Sequence, residues 1–492
     1  MLTAKWIHTD IKNEDDLLTM IDFVKSELAN IIAGAFDTET TGLSITHDKP
    51  FLFQFGFVTK FMYGYTYTVD LEVTPELAKR CITIWHMLAK QFPIYLGHNI
   101  KFDLHMLTNI GIPYTGNNVS DTQAWIRLGC DAVQVDKGGP PLQLKAFAAR
   151  YITKDAKDME SLLKTERTQI AQKYNNMLKR RTKLTKKVLD DFFKDKLNDV
   201  EDMPEDMCKA YMDWLKFDVP DWLLGRFHGT IDSDDVPYNK LNRENVKYYG
   251  HLDIVWTIET WLCIKPVIDL RGNTENIKYE NDQIYPLLRM ERVGYPCNFG
   301  YLEECRVKVK QYIRRRRQDL CDLAGVQVKV GQSKLILEIL HDLGVDVDTT
   351  ESETLSIACS NLKRNNSNPT AVEFIETLQE LRTLEKWYST YICRFLDERK
   401  DGDDRIYTQI NPEGTVSGRV TCDFQQFPKK AIKDIDGNVL FHPRHMVYGN
   451  IGDYKGIVYL DYSQIELRLQ AFYTILVGSP DKNLCQAYMP YL

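Results

Sequence analysis

Residues 31–36, IIAGAF, are an apolar run of strand character that passes without a break into the acidic DTETTGL. A buried strand that ends in carboxylates restricts this region to a sheet fold with polar chemistry at the strand end. Two further β-rich runs, FLFQFGFV (51–58) and YTYTVD (65–70), lie between turn residues. PELAKRCITIWHML then reads as a helix and PIYLG as a short strand. Alternation of this kind through about residue 150 predicts an α/β sheet domain. From about 155 to 240 long polar helices take over, including RTQIAQKYNNMLKRRTKLTKKVLDDFFKDKL, and these read as a helical insertion. The buried helix ENVKYYGHLDIVWTIETWL then resumes the first domain. Residues 276–404 read as mostly helical around a loop-rich centre at ACSNLKRNNSNPT, and DRIYTQI and KGIVYLD restore strands in 405–492.

A chain of 492 residues is long enough for about three domains, each with its own core. With 43% hydrophobic and 27% charged residues the composition is that of a soluble globular protein. No apolar run approaches the roughly 20 residues of a membrane span, and MLTAKWIHTDIKNEDD lacks the apolar core of a signal peptide. The 11 cysteines stand singly, with no C-x-x-C pair and no His/Cys cluster at zinc spacing. That pattern predicts reduced thiols and a cytoplasmic location. The net charge of −7 excludes a uniformly basic nucleic-acid binder, so any such contact must come from local patches.

Side chains two apart in an extended segment share a face, so Asp37 and Glu39 project together. Neighbouring acids raise each other's pKa unless a cation lies between them, and hard ions such as Mg²⁺ take oxygen ligands of this kind. In LGHNIKFDLHML a strand turns into a helix and delivers Asp103. In YYGHLDIVW, Tyr249 and Asp253 stand four apart on one helix face, a phenol beside a carboxylate able to orient an attacking water. Four acids and a tyrosine suffice to hold two metals about 3.5–4 Å apart for in-line displacement at phosphorus.

In this order, DTET, N-x-x-F-D (Asn99, Phe102, Asp103) and Y-x-x-x-D (Tyr249 to Asp253) resemble the DnaQ-like 3′–5′ exonuclease superfamily in its tyrosine-bearing form. The resemblance implies a ribonuclease H-like domain over 1–275. Asp37, Glu39 and Asp253 would hold one Mg²⁺ (or Mn²⁺), Asp37 and Asp103 would share a second, and Tyr249 would position water. Leu43 matches a residue that wedges against terminal bases, and Asn99 one that lines the site. DTQAW at Asp121 fits the helix after the second motif. The 150 residues from Asp103 to Asp253 depart from the family spacing, and the insertion enlarges that gap.

The remainder resembles family A, or DNA polymerase I-like, DNA polymerases. IYPLLRMERVGYPCN looks like the opening of the polymerase region, and GQSKLILEILHDLGVDV and LRTLEKWYSTY like thumb segments. YTQINPEGTVSGRV resembles the threonine–glycine–arginine stretch, with Arg419 reaching the primer's minor groove. RHMVYGNIGDYKGIVYLDYSQIELR is similar to the first palm motif, in which Asp461 would bind metal and Glu466 would select deoxynucleotides. The cluster Arg314, Arg315, Arg316 and Arg317, inside the thumb-like region, fits a phosphate backbone. LKRRTKLTKK in the insertion either meets nucleic acid or pairs with the acidic DDFFKDKLNDVEDMPEDM that follows.

The layout, without a preceding 5′-nuclease domain, is similar to bacteriophage enzymes and implies a host bacterial cytoplasm. The implied partners are a single-stranded 3′ end and a primer–template. The chain of 492 residues closes 31 residues past Asp461, before the second palm carboxylate and the fingers cations of the family. The expectation is therefore a 3′–5′ exonuclease with a thumb and an incomplete palm, without polymerase activity of its own. Three origins fit such an end: a polymerase split over two polypeptides, an interrupted reading frame, or a shortened chain. Two rival functions stay open. One is a DNA-binding half-subunit needing a second polypeptide with the fingers; the other is a free-standing RNA 3′ exonuclease.

Overall fold

The computed structural model describes residues 3–130, 141–154, 156–192, 231–399, 402–412, 414–415, 418–427, 430–451 and 454–488. Residues 193–230, much of the expected insertion, lie outside the described residues, as do the side chains of LKRRTKLTKK and of the acidic segment after it. The chain divides into two compact units, 1–294 with 407–426, and 295–406 with 427–492.

The first unit is built on a six-stranded mixed sheet of β1 (Lys5–Ile11), β2 (Ile31–Thr40), β3 (Pro50–Thr59), β4 (Tyr63–Asp70), β5 (Tyr95–Gly97) and β6 (Val119–Asp121), in the order β1-β4-β3-β2-β5-β6. β2, β3 and β4 pair antiparallel; β1 runs parallel to β4, and β5 parallel to both β2 and β6. All ten residues of β3 are buried, as a strand covered by helices on both faces requires. On one face α1 (Glu14–Glu27), α2 (Pro75–Ala89) and α3 (Ile100–Asn109) enclose Phe36, Phe53, Phe55, Phe57 and Trp85. On the other, α4 (Thr122–Gly129), α5 (Leu144–Tyr151) and α7 (Arg243–Arg271) pack on Ala33, Ala35 and Val58. Between them in sequence runs α6 (Ala156–Phe192), and α8 (Thr274–Asp282) and α9 (Ile284–Val293) follow. The α/β class expected for this part is what is found.

The sequence reading missed β1. Its residues, KWIHTDI, alternate weakly and sit at the sheet edge, exposed over most of their length. What fixes β1 is distant: the buried Glu259 of α7 accepts hydrogen bonds from Thr3 N and Ala4 N at 2.8 and 2.9 Å and from Trp6 Nε1 at 2.9 Å.

The second unit is mainly helical: α10 (Phe299–Ala324), α11 (Ser333–Asp342), α12 (Ser352–Arg364), α13 (Pro369–Trp387) and α14 (Arg394–Glu398), with α15 (Ile465–Leu476) and α16 (Lys482–Tyr488) near the end. Two local expectations need correction. ACSNLKR is helical, the end of α12, where Leu355 and Cys359 stand four apart and are both buried. Gly456–Asp461 forms no strand; Val458, Tyr459 and Leu460 are exposed, Leu460 at 92%. An apolar run becomes a strand only when a neighbour satisfies its backbone, and no described strand pairs with this one.

Candidate active site

β2 pairs residue for residue with β3, Asp37 opposite Gln54 and Glu39 opposite Leu52. The parity of the strand turns Phe36 into the core on the α2 side and leaves Asp37 and Glu39 facing α7. That helix approaches the sheet closely because glycine stands at two contact points. A Cβ on Gly250 would lie 2.2 Å from Gln54 Nε2, and one on Gly56 would lie 2.4 Å from the Tyr65 carbonyl and 2.9 Å from Ile254 Cγ2. The close packing brings Asp253 to Asp37 and Glu39, and one carboxylate oxygen of each lies within 4.8 Å of the others.

Asp103 arrives from α3, whose entry is set by Asn99 in the left-handed conformation (φ 58°). Its Oδ1 accepts from Thr38 N at 2.9 Å and Thr38 Oγ1 at 2.6 Å, which hooks the helix to the strand. Asp121 fixes the other side. One oxygen accepts from Asn99 N and Gln123 N, the other from Ile100 N at 2.9 Å, so a single carboxylate caps α3 and α4 together.

The site is electrostatically overloaded with acid. Burial, then Asp103, Asp253 and Glu39, push the Asp37 carboxyl well above its usual range. Burial and Asp253 push Glu39 to about 8, and burial raises Asp103 to about 7 against the hydrogen bonds from Thr38. Tyr249 lies in the same pocket; burial and then Asp253 drive its phenol up, and Tyr238 stacks on it at 6.2 Å. Asp253 is divided: Oδ2 meets the Lys145 ammonium at 3.1 Å, while Oδ1 is buried without a hydrogen-bond partner. Three converging carboxylates and an orphaned buried oxygen fit a hard divalent cation. Asp37, Glu39 and Asp253 are the residues that would hold it, with Asp103 beside Asp37.

The structure thus brings together Asp37, Glu39, Asp103, Tyr249 and Asp253 from segments far apart in sequence. Leu43 stands just past β2 and is 80% exposed, and Asn99 is exposed at the start of α3. In the second unit the arginine run lies on α10. Arg316 bonds Glu380 and Asp319 at 2.9 and 2.7 Å, and Arg317 bonds Glu385 at 2.9 Å; Arg314 and Arg315 are exposed. Arg419 is exposed on a loop that Thr415 closes by accepting from Arg419 N and donating to its carbonyl. Asp461 and Glu466 are exposed, and Asp461 belongs to no group of three candidate ligands among the described residues.

Sequence reading missed Lys145, Thr38 and the capping role of Asp121. Thr38 sat in view between the two acids of DTET. Nothing in LQLKAFAAR marks its lysine as different from a surface one.

Residues 300–490 match the sequence model of DNA polymerase family A. Among curated proteins, DNA polymerase I of Helicobacter pylori (strain J99) is 28% identical over 207 residues, 41% of this chain and 21% of that protein. DNA polymerase of Bacillus phage SP01 is 29% identical over 154 residues, 30% of this chain and 16% of that protein. The chain spans about a fifth of the length of these relatives. The fold is similar to the POL domain of Pol1 from M. smegmatis, solved in complex with DNA primer-template and dNTP, at a TM-score of 0.55 and 15% identity, covering 94% of this chain and 62% of that one.

Proposed function

We propose that this chain, whose residues 300–490 match the sequence model of DNA polymerase family A, is a DNA-replication protein whose first unit is a metal-dependent 3′–5′ exonuclease of ribonuclease H-like fold. The observation that carries the reading is the convergence of Asp37, Glu39 and Asp253 on one buried point, with Asp103 and Tyr249 against it. A divalent cation bound there supplies charge neutralisation at the phosphodiester and activation of water. The protein's own contributions follow from position. The carboxylates fix the place of the cation, Thr38 and Asp121 fix the helix of Asp103, and the Tyr249 hydroxyl orients water beside Asp253. Exposed Leu43 is suited to pack against an unpaired terminal base. A DNA 3′ end is the proposed substrate, with Arg314, Arg315 and Arg419 as backbone and groove contacts in the polymerase-like part. The acids form two proposed metal sites, Asp37 and Asp103 sharing the second; Asp461 and Glu466 keep metal-binding and nucleotide-selecting roles by family likeness alone.

The test is a 5′-labelled primer on a longer template with Mg²⁺, scored by length with and without all four dNTPs. Shortening in both conditions is expected, and loss of at least about 100-fold in Asp253→Asn and Asp103→Ala, since each removes a group acting at the reacting phosphate. Equal shortening in the variants would place the nuclease elsewhere or in a contaminant. A matching RNA primer separates a DNA from an RNA exonuclease.

A further inference from the structure

Lys145 is a cation in this acid pocket that the exonuclease reading leaves without a task. It enters from the first turn of α5, and only 23% of its side chain is exposed. Its ammonium lies 3.1 Å from Asp253 Oδ2 and 4.2 Å from the centre of the Tyr249 ring. It is also close enough to Glu39 and Asp37 to be held by their charge. One cation therefore touches the metal-ligand candidate and the water-orienting tyrosine at once, over a ring face that attracts cations.

We infer that Lys145 is a positioning residue and built-in counter-ion of the nuclease site, holding Asp253 and Tyr249 in register while its charge opposes the divalent cation. Geometry gives it the first role. Because Lys145 takes Oδ2, the carboxylate of Asp253 cannot rotate freely, and Oδ1, the oxygen with no partner, is left for the ion. Charge gives it the second role. Like charges a few ångströms apart in a water-poor pocket repel strongly, so the site binds its cation more weakly than its carboxylates alone would. Weaker binding of this kind limits over-tight capture of metal by a pocket so rich in acid.

This inference rests on the exonuclease reading, and the experiment separates the two. Mn²⁺ binding to the intact chain is measured by the electron paramagnetic resonance signal of free Mn²⁺, beside the single-turnover cleavage rate at saturating Mn²⁺. Lys145→Met is expected to bind Mn²⁺ about 10-fold more tightly and to cleave about 10-fold or more slowly. Lys145→Arg, which keeps the charge, should restore affinity to near the wild-type value. A Lys145→Met protein that binds Mn²⁺ no more tightly than wild type overturns the inference, whatever its rate. Should that variant not fold, Lys145→Gln takes its place under the same criterion. Wild type that binds no Mn²⁺, or Asp253→Asn that binds it as well as wild type, overturns the exonuclease reading itself and the inference with it.

Discussion

His86 carries a consequence that is separable from the active site. It lies buried in α2 with neither ring nitrogen hydrogen-bonded, edge-on to Phe53 at 5.9 Å and to Tyr114 at 5.1 Å. Burial, with Lys90 adding, pushes its pKa down to about 3 from the ordinary 6.5. A lowered folded value means that the unfolded chain takes up the proton first as pH falls. His86 therefore costs the native state stability progressively below pH 6.5 until about pH 3. At pH 5 that cost is about 2 kcal/mol relative to pH 8. Urea unfolding of wild type and His86→Leu at both pH values should reveal a difference that shifts by about that much in favour of the variant at pH 5. A pH-independent difference would mean that folding does not lower the pKa of this ring. Side-chain chemistry of this sort was not legible in PELAKRCITIWHML, where the histidine reads as one more polar position. The acids were legible because DTET, N-x-x-F-D and Y-x-x-x-D fix type and spacing together. Lys145 was not, because its partners lie 108 residues on, at Asp253, and are joined to it only by folding.

At the level of elements, the strands that lead to the site were readable because both faces of the sheet are covered. Burial on both sides leaves runs such as FLFQFGFV almost wholly apolar. The same logic failed at GIVYLD, an equally apolar run with no described strand beside it: hydrophobicity reports a demand for burial, and pairing decides whether a strand forms. It also failed at ACSNLKR, where polar residues on the outer face of α12 masked the spacing of Leu355 and Cys359. Helix–sheet distance is the remaining element-scale variable, and the sequence marked it only through glycine. Gly56→Ala sets a methyl against the Tyr65 carbonyl and Ile254, next to Asp253. Overpacking of this kind costs about 1–3 kcal/mol, and a shift of α7 by a fraction of an ångström or more misaligns the acids. The expectation is a lower Tm and a fall in the proposed exonuclease rate of about 10-fold or more, although no candidate ligand is altered. Gly331→Ala, where a Cβ meets nothing within 4 Å, is the control; equal effects in the two would defeat the packing argument.

On the scale of the molecule, the division of the chain does not follow the sequence. Residues 407–426 belong with 1–294 although more than a hundred residues separate them, and one buried carboxylate takes part in the attachment. Glu291 of α9 bonds the Lys101 ammonium, accepts from Ile410 N at 2.6 Å and meets His105 Nε2 at 2.7 Å; Lys101 also donates to the Ile410 carbonyl. Lys101 and His105 flank Asp103 on α3, so the segment that carries Arg419 is tied to a helix of the acid site. Burial would raise the Glu291 pKa, yet the hydrogen bond with His105 and the charge of Lys101 hold it below the ordinary 4.5. Its contribution is therefore present above pH 4.5 and is lost as pH falls through the lowered value. Glu291→Ala strands the ammonium of Lys101 in the interior, which costs about 3–5 kcal/mol, whereas the pair Lys101→Met with Glu291→Leu removes both charges and should cost far less. Hydrogen exchange localises the effect. In Glu291→Ala the amides of Ile410, Asn411 and Thr421, the last two bonded across the loop at 2.7 and 2.8 Å, should lose protection before those of β2 and β3. Retained protection at Ile410 would mean that the segment is held by something other than Glu291, and the tie between the Arg419 loop and the Asp103 helix would have to be given up.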